Sequence, residues 1–142
     1  MPPHDELKRR HSAFLVADIA QAIEAFAATG TRFRDVIAVP VRVESESTNA
    51  DIEITFVHGL DRDIELIQAG EGPFAAEVGL GFHHLGGVGS IDLAEAIEDQ
   101  RSIGVEVDYQ LFWNDTLMAV FFKPTPLRPV RFELMAPHMA DA

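Results

Sequence analysis

Two stretches of the chain carry apolar residues at the helical period: Ile19, Ala22, Ile23 and Phe26, then Leu93, Ala96 and Ile97. Around them lie shorter runs that read as strands. One begins at His11 ("RHSAFLVA") and its later counterpart is "HHLGGVGS". Three more follow each helix: Arg32 to Glu44, Asp51 to His58 and Asp63 to Gln68, then Val105 to Trp113, Leu117 to Lys123 and Val130 to Met135. Turn signals ("STNAD", "GLDRD", "WNDT", "PTPLRP") separate them. The pattern predicts strand–helix–strand–strand–strand, twice.

The two halves are copies of one unit. Set Asp18 to Gly30 over Asp92 to Gly104, and six of thirteen positions coincide without a gap, including the first Asp and the last Gly. Those two positions are the ones a helix needs at its ends, an N-cap oxygen and a residue tolerant of the left-handed conformation. The last strands repeat too, "IELI" and "FELM", with Glu65 and Glu133 in the same place. The modules are expected at about 9–68 and about 82–137, joined by a Gly-rich stretch at about 69–81. Each is too small to bury a sheet alone, so both are expected to pack as one domain over residues 1–142.

Each module thus offers a His on its first strand and a Glu on its last: His11, Glu65, His84 and Glu133. The neighbours Ile64, Leu66, Phe132 and Leu134 take the greasy face, which leaves both glutamates on the other face, the concave one if the sheet curves. One such residue alone reads as a surface group. The recurrence of the pair in both copies points to a metal site instead. Two imidazoles and two carboxylates suit one divalent ion of the Zn, Ni, Co, Mn or Fe kind. Of His83 and His84, the spacing to the helix cap favours His84, with Gly86, Gly87 and Gly89 offering room for a bulge.

Composition narrows the function. The formal charge of −12 disfavours nucleic acid as a partner. No apolar run is long enough for a membrane span. The absence of cysteine removes thiolate chemistry and points to a cytoplasmic protein. "GGVG" has neither the spacing nor the lysine of a phosphate loop.

The segments "RRHSAFLVADIAQAI", "RDIELIQAGEGPF", "LGFHHLGGVGSIDLAEAI" and "VRFELMAP" together resemble the vicinal oxygen chelate superfamily, within it the glyoxalase I and methylmalonyl-CoA epimerase branch. The resemblance runs from about Arg9 to Pro137. It implies an α+β fold, two tandem βαβββ modules forming a cupped eight-stranded mixed sheet around a metal, and frequent homodimers. It also implies a lyase or isomerase acting by metal-stabilised enolate chemistry on a carbonyl, thioester or hemithioacetal. A glutamate, Glu133 or else Glu65, would move the proton. The Gln-Gly step of the epimerases is absent; that place reads Thr48-Asn49, with Glu44 or Glu46 nearby either as a replacement for the acidic residue or as solvated edge residues. No pattern among Arg32, Arg34, Arg62 and Arg128 matches a glutathione site.

Tyr109 and Trp113 are candidates for lining a substrate pocket, with core packing as the alternative. His4, His58 and His138 read as outside the site. Two other functions stay open: a small-molecule binding or resistance protein of the same fold, and a ring-cleaving dioxygenase using two His and one Glu on iron.

Overall fold

The computed structural model describes residues 10–89 and 92–136. The first module contains β1 (His11–Val16), α1 (Ile19–Ala27), β2 (Ile37–Glu44), β3 (Asn49–His58) and β4 (Ile64–Gln68). Two short 3₁₀ turns, Gly72–Phe74 and Ala76–Val78, occupy the joint. The second module contains β5 (Gly81–Val88), α2 (Leu93–Ser102), β6 (Val107–Trp113), β7 (Thr116–Phe122) and β8 (Phe132–Met135). The fold is α+β, and its eight strands close into a mixed barrel in the order β1-β4-β3-β2-β6-β7-β8-β5. The internal order is the same in both modules. They meet at two antiparallel seams, β1 with β5 and β2 with β6.

The copy relation holds at the level of single hydrogen bonds. The Asp18 side chain accepts from the Gln21 amide, and Asp92 accepts from the Ala94 and Glu95 amides. At the other ends, Thr31 N–H reaches Phe26 O and Gly30 N–H reaches Ala27 O. Val105 N–H to Gln100 O and Gly104 N–H to Arg101 O repeat them. Both glycines take φ of 85°, where a Cβ would be strained.

Strand alternation sorts the side chains. Ala13 and Leu15 of β1 point into the barrel and join its main core with Val41, Ile54, Leu111 and Phe121. Phe14 and Val16 point outward, where α1 covers them through Ile19, Ala22 and Ile23 in a second cluster with Val57 and Leu66. Each buried aliphatic side chain contributes roughly 1.5–3 kcal/mol. The alternation also settles β4: Leu66 lies outside under α1, and Glu65 and Ile67 lie inside.

Some strand limits differ from the sequence pattern. Residues 32–36 do not pair with a neighbouring strand as a run. Phe33 makes a lone bridge to Gly59, and the Arg34 amide bonds to His58 O, so the segment braces the β3–β4 turn before β2 begins. β6 and β8 likewise start two residues later than the hydrophobic runs that announce them. His4 and His138 lie outside the described residues.

Candidate metal centre

The four sequence-derived residues meet inside the barrel. In the first module the Ser12 amide bonds to Asp63 O, and in the second the Leu85 amide bonds to Arg131 O. The parallel registers that follow, Ser12 with Ile64 and Leu85 with Phe132, place Glu65 and Glu133 equivalently. His84, one residue before Leu85, is therefore the counterpart of His11, one residue before Ser12. The β1–β5 seam then brings the two halves face to face, pairing His11 with Gly86 and Ala13 with His84.

The donor atoms crowd one point. His11 Nε2 lies 3.2 Å from His84 Nε2 and 3.2 Å from Glu133 Oε1. His84 Nε2 lies 3.4 Å from Glu133 Oε1. Glu65 Oε1 stands 3.8 Å from His11 Nε2 and 3.7 Å from His84 Nε2. Donors sharing one divalent ion at about 2.0–2.2 Å stand about 3–3.5 Å apart. His11, His84 and Glu133 are thus already spaced for a single ion, and Glu65 stands a few tenths of an ångström beyond that spacing. Gly86 makes this closeness possible, because a Cβ there would lie 2.6 Å from His11 Nε2 and 2.7 Å from Glu133 Oε1.

Burial raises the cost of charge here and the neighbours repay it. Burial pushes the Glu65 carboxyl up, but His11, the bond from His58, and His84 outweigh it and hold it below the ordinary carboxylate range. Burial likewise works against Glu133, and the bonds to His11 and His84 hold it well below that range. Both glutamates are carboxylates at neutral pH, as ligands must be. The positive charge that offsets these two carboxylates comes from the imidazoles around them or from a bound cation.

The bulge predicted for the glycines falls instead at His83. β1 pairs Ala13 with His84 and Phe14 with Phe82, which leaves His83 as the extra residue. The bulge explains why both adjacent histidines are buried, 3% and 1% exposed. His83 stacks on Phe74 and its Nε2 lies 2.9 Å from Pro73 O. A carbonyl only accepts, so Nε2 carries the proton. Burial lowers the His83 pKa to about 4, so the ring is neutral and its Nδ1 is an acceptor. That Nδ1 lies 2.8 Å from His84 Nδ1, which must therefore donate. With its Nδ1 committed to that bond, His84 can ligate only through Nε2, the atom that faces the cluster.

His58 joins the group, and the sequence reading did not include it. Its Nε2 bonds to Glu65 Oε2 at 2.6 Å. His11, His84 and Glu133 form one set of ligating atoms within 4.8 Å of one another, and His11, His58 and Glu65 form another. The signal was the hairpin: the turn at 59–63 sets His58 directly opposite Glu65.

The cluster opens onto a cavity of about 60 Å³. His58, Glu65, His84 and Glu133 line it, and every other lining residue is apolar, among them Ile54, Phe56, Met118 and Phe121. No lysine or arginine is among them. Tyr109 and Trp113 are not among them either. Tyr109 is screened by Phe121, whose ring stacks on it at 4.5 Å, and faces a polar surface depression beside Arg131. Trp113, beyond a register shift between Leu111 and Phe112, packs half-buried against the main core.

Comparison with known proteins agrees with this architecture. The family model described as the Glyoxalase/Bleomycin resistance protein/Dioxygenase superfamily matches residues 10–122. The match ends with β7, so the placement of Glu133 rests on the geometry of β8. No curated protein matches the chain. No helix among the described residues is long and apolar enough to cross a membrane.

Proposed function

The chain belongs to the glyoxalase/bleomycin resistance protein/dioxygenase superfamily, and from that premise we propose that it is a metal-dependent lyase or isomerase for a carbonyl compound with an apolar body. The observation that carries this is the meeting of two imidazole nitrogens and two carboxylates, one pair from each module, at the wall of an apolar cavity. His11, His84, Glu65 and Glu133 would hold one divalent ion. Such an ion, when bound, polarises a substrate oxygen and makes the adjacent C–H more acidic.

The residues of the chain supply the rest. The apolar walls take the body of the substrate and exclude water, which strengthens every charge interaction in the site. The lack of a cationic side chain there argues against a substrate whose anionic groups sit inside the cavity. Glu133 takes and returns the proton. Its Oε1 faces both imidazoles, and no hydrogen bond holds its Oε2 among the described residues. A small-molecule substrate and a homodimer complete the reading.

A second reading has its own support. His11, His84 and Glu133 lie closer to one another than to Glu65. Two histidines and one carboxylate are the iron site of oxygen-dependent enzymes, so ring cleavage of an apolar aromatic is the alternative.

The test is elemental analysis of protein purified without chelator or affinity metal, with Glu133→Gln and His84→Ala beside it. About one ion per chain, lost in His84→Ala, supports the metal site. Zinc, nickel, cobalt or manganese favours proton transfer, read as solvent-deuterium exchange into carbonyl substrates. Iron with oxygen uptake favours cleavage. Glu133→Gln should lower turnover at least about 10²-fold with the fold retained. Full activity in that variant would remove Glu133 from its role. No metal after reconstitution would turn the cavity into a binding site of the resistance-protein kind.

A further inference from the structure

The two halves of the site are copies in sequence, yet one polar neighbour breaks the copy. Opposite Glu65 across the β3–β4 pair stands His58. Opposite Glu133 across the β7–β8 pair, at the equivalent position, stands Phe121. The first pair makes a 2.6 Å hydrogen bond from Nε2 to Oε2. The second makes none, because a phenyl ring has no donor; Phe121 lies edge-on to the His84 ring instead.

We propose that His58 is a positioning residue for Glu65: by holding Oε2 it turns Oε1 alone toward the cluster. The proposal rests on the metal-site reading above. A carboxylate can only accept, so the proton of the 2.6 Å bond sits on His58 Nε2. The ring is fixed from both sides, stacked on His11 at 5.7 Å and against Phe56 at 5.3 Å. It is 6% exposed, so water does not compete for the bond. The result is a difference in freedom. Glu65 is anchored and offers one oxygen. Among the described residues Glu133 has no such anchor, and it can change its denticity or leave the cluster without breaking another bond. The repeat supplied two equal carboxylates, and the exchange of one residue on the neighbouring strand made them unequal.

Calorimetric titration with Ni²⁺ alone tests this in the full chain. His58→Phe copies the second module and removes the donor. His58→Gln keeps an N–H. His58→Phe should weaken binding about 10- to 100-fold with one ion still bound, and His58→Gln should recover most of that loss. X-ray absorption should count the same number of imidazoles in wild type and His58→Phe. Unchanged affinity in His58→Phe overturns the proposal. So does one imidazole fewer, which would make His58 a ligand. If His58→Phe does not fold, His58→Leu reads the same comparison. If wild-type protein takes up no ion, the metal reading fails by itself. The crystal structure of the metal-free variant then decides: a Glu65 carboxylate turned away from His11 and His84 sustains the anchoring role, and an unmoved one refutes it.

Discussion

The chain of bonds Pro73–His83–His84 links one backbone carbonyl to an atom of the candidate metal centre. Pro73 O sets the His83 proton on Nε2, His83 Nδ1 draws a His84 proton to Nδ1, and Nε2 is the His84 atom left for the cluster. His84→Ala removes a donor and should lower metal affinity by more than 10²-fold. His83→Phe keeps the stacking on Phe74 but releases the tautomer, and should cost about 10-fold. Calorimetry separates the two; equal losses would mean that both rings ligate. The same residue sets a pH dependence of the metal-free protein. Its pKa is about 4 when folded and about 6.5 when unfolded. Between those values the unfolded chain binds more protons, so stability falls as pH is lowered through that window, by up to about 3 kcal/mol from this group. Glu65 and Glu133, both held below their ordinary range, add loss in the same direction at lower pH, below about 4.3, where the unfolded carboxylates protonate. Urea titrations at pH 7 and pH 5 should show the fall in wild type and a flatter profile in His83→Phe.

At the scale of elements, the most exacting position is a strand glycine with no side chain to conserve. Gly86 lies where β5 passes His11, and any Cβ would enter the cluster. The strand has no reason to unfold if Gly86 becomes alanine, but His11 and Glu133 must move. Gly86→Ala should therefore keep its circular dichroism spectrum and lose at least about 10-fold in metal affinity; wild-type affinity would mean the donors are not held as close as they stand. The helices respond differently. Asp18→Ala and Asp92→Ala each free an amide cap and should cost about 1 kcal/mol without touching the site, checked by denaturation and metal titration together. These elements were legible because each carries its own signal: an Asp, a helical stripe, a closing Gly. The four residues of the candidate site were legible because they occur twice. His58 was not, for the same reason: its counterpart is Phe121, and reasoning from the repeat passes over what only one copy has. Tyr109 shows another limit. Alternation assigned its face correctly, but Phe121, from the adjacent strand, decides its depth.

On the scale of the whole molecule, the site is a joint. Each module gives one His and one Glu, and the seams between modules are unequal. Five residue pairs with a register shift join β1 to β5, while three pairs join β2 to β6. An ion held as proposed, by residues of both modules, would tie them together at the β1–β5 seam, the longer of the two. Its binding energy then belongs to the folding of both halves. At a free ion concentration 100 times the Kd, stability should rise by about 2.7 kcal/mol, which for this length is a Tm increase on the order of 10 °C. A chelator should reverse it. The informative feature is the shape of the transition. If the ion ties the modules together, calorimetric unfolding stays a single transition with and without it, and His11→Ala and Glu133→Gln, one from each half, lose the shift alike. A second transition that appears on adding metal, or a shift that survives loss of the first module's ligand, would place the ion within one module. The repeat would then describe how the fold arose and not how its site works.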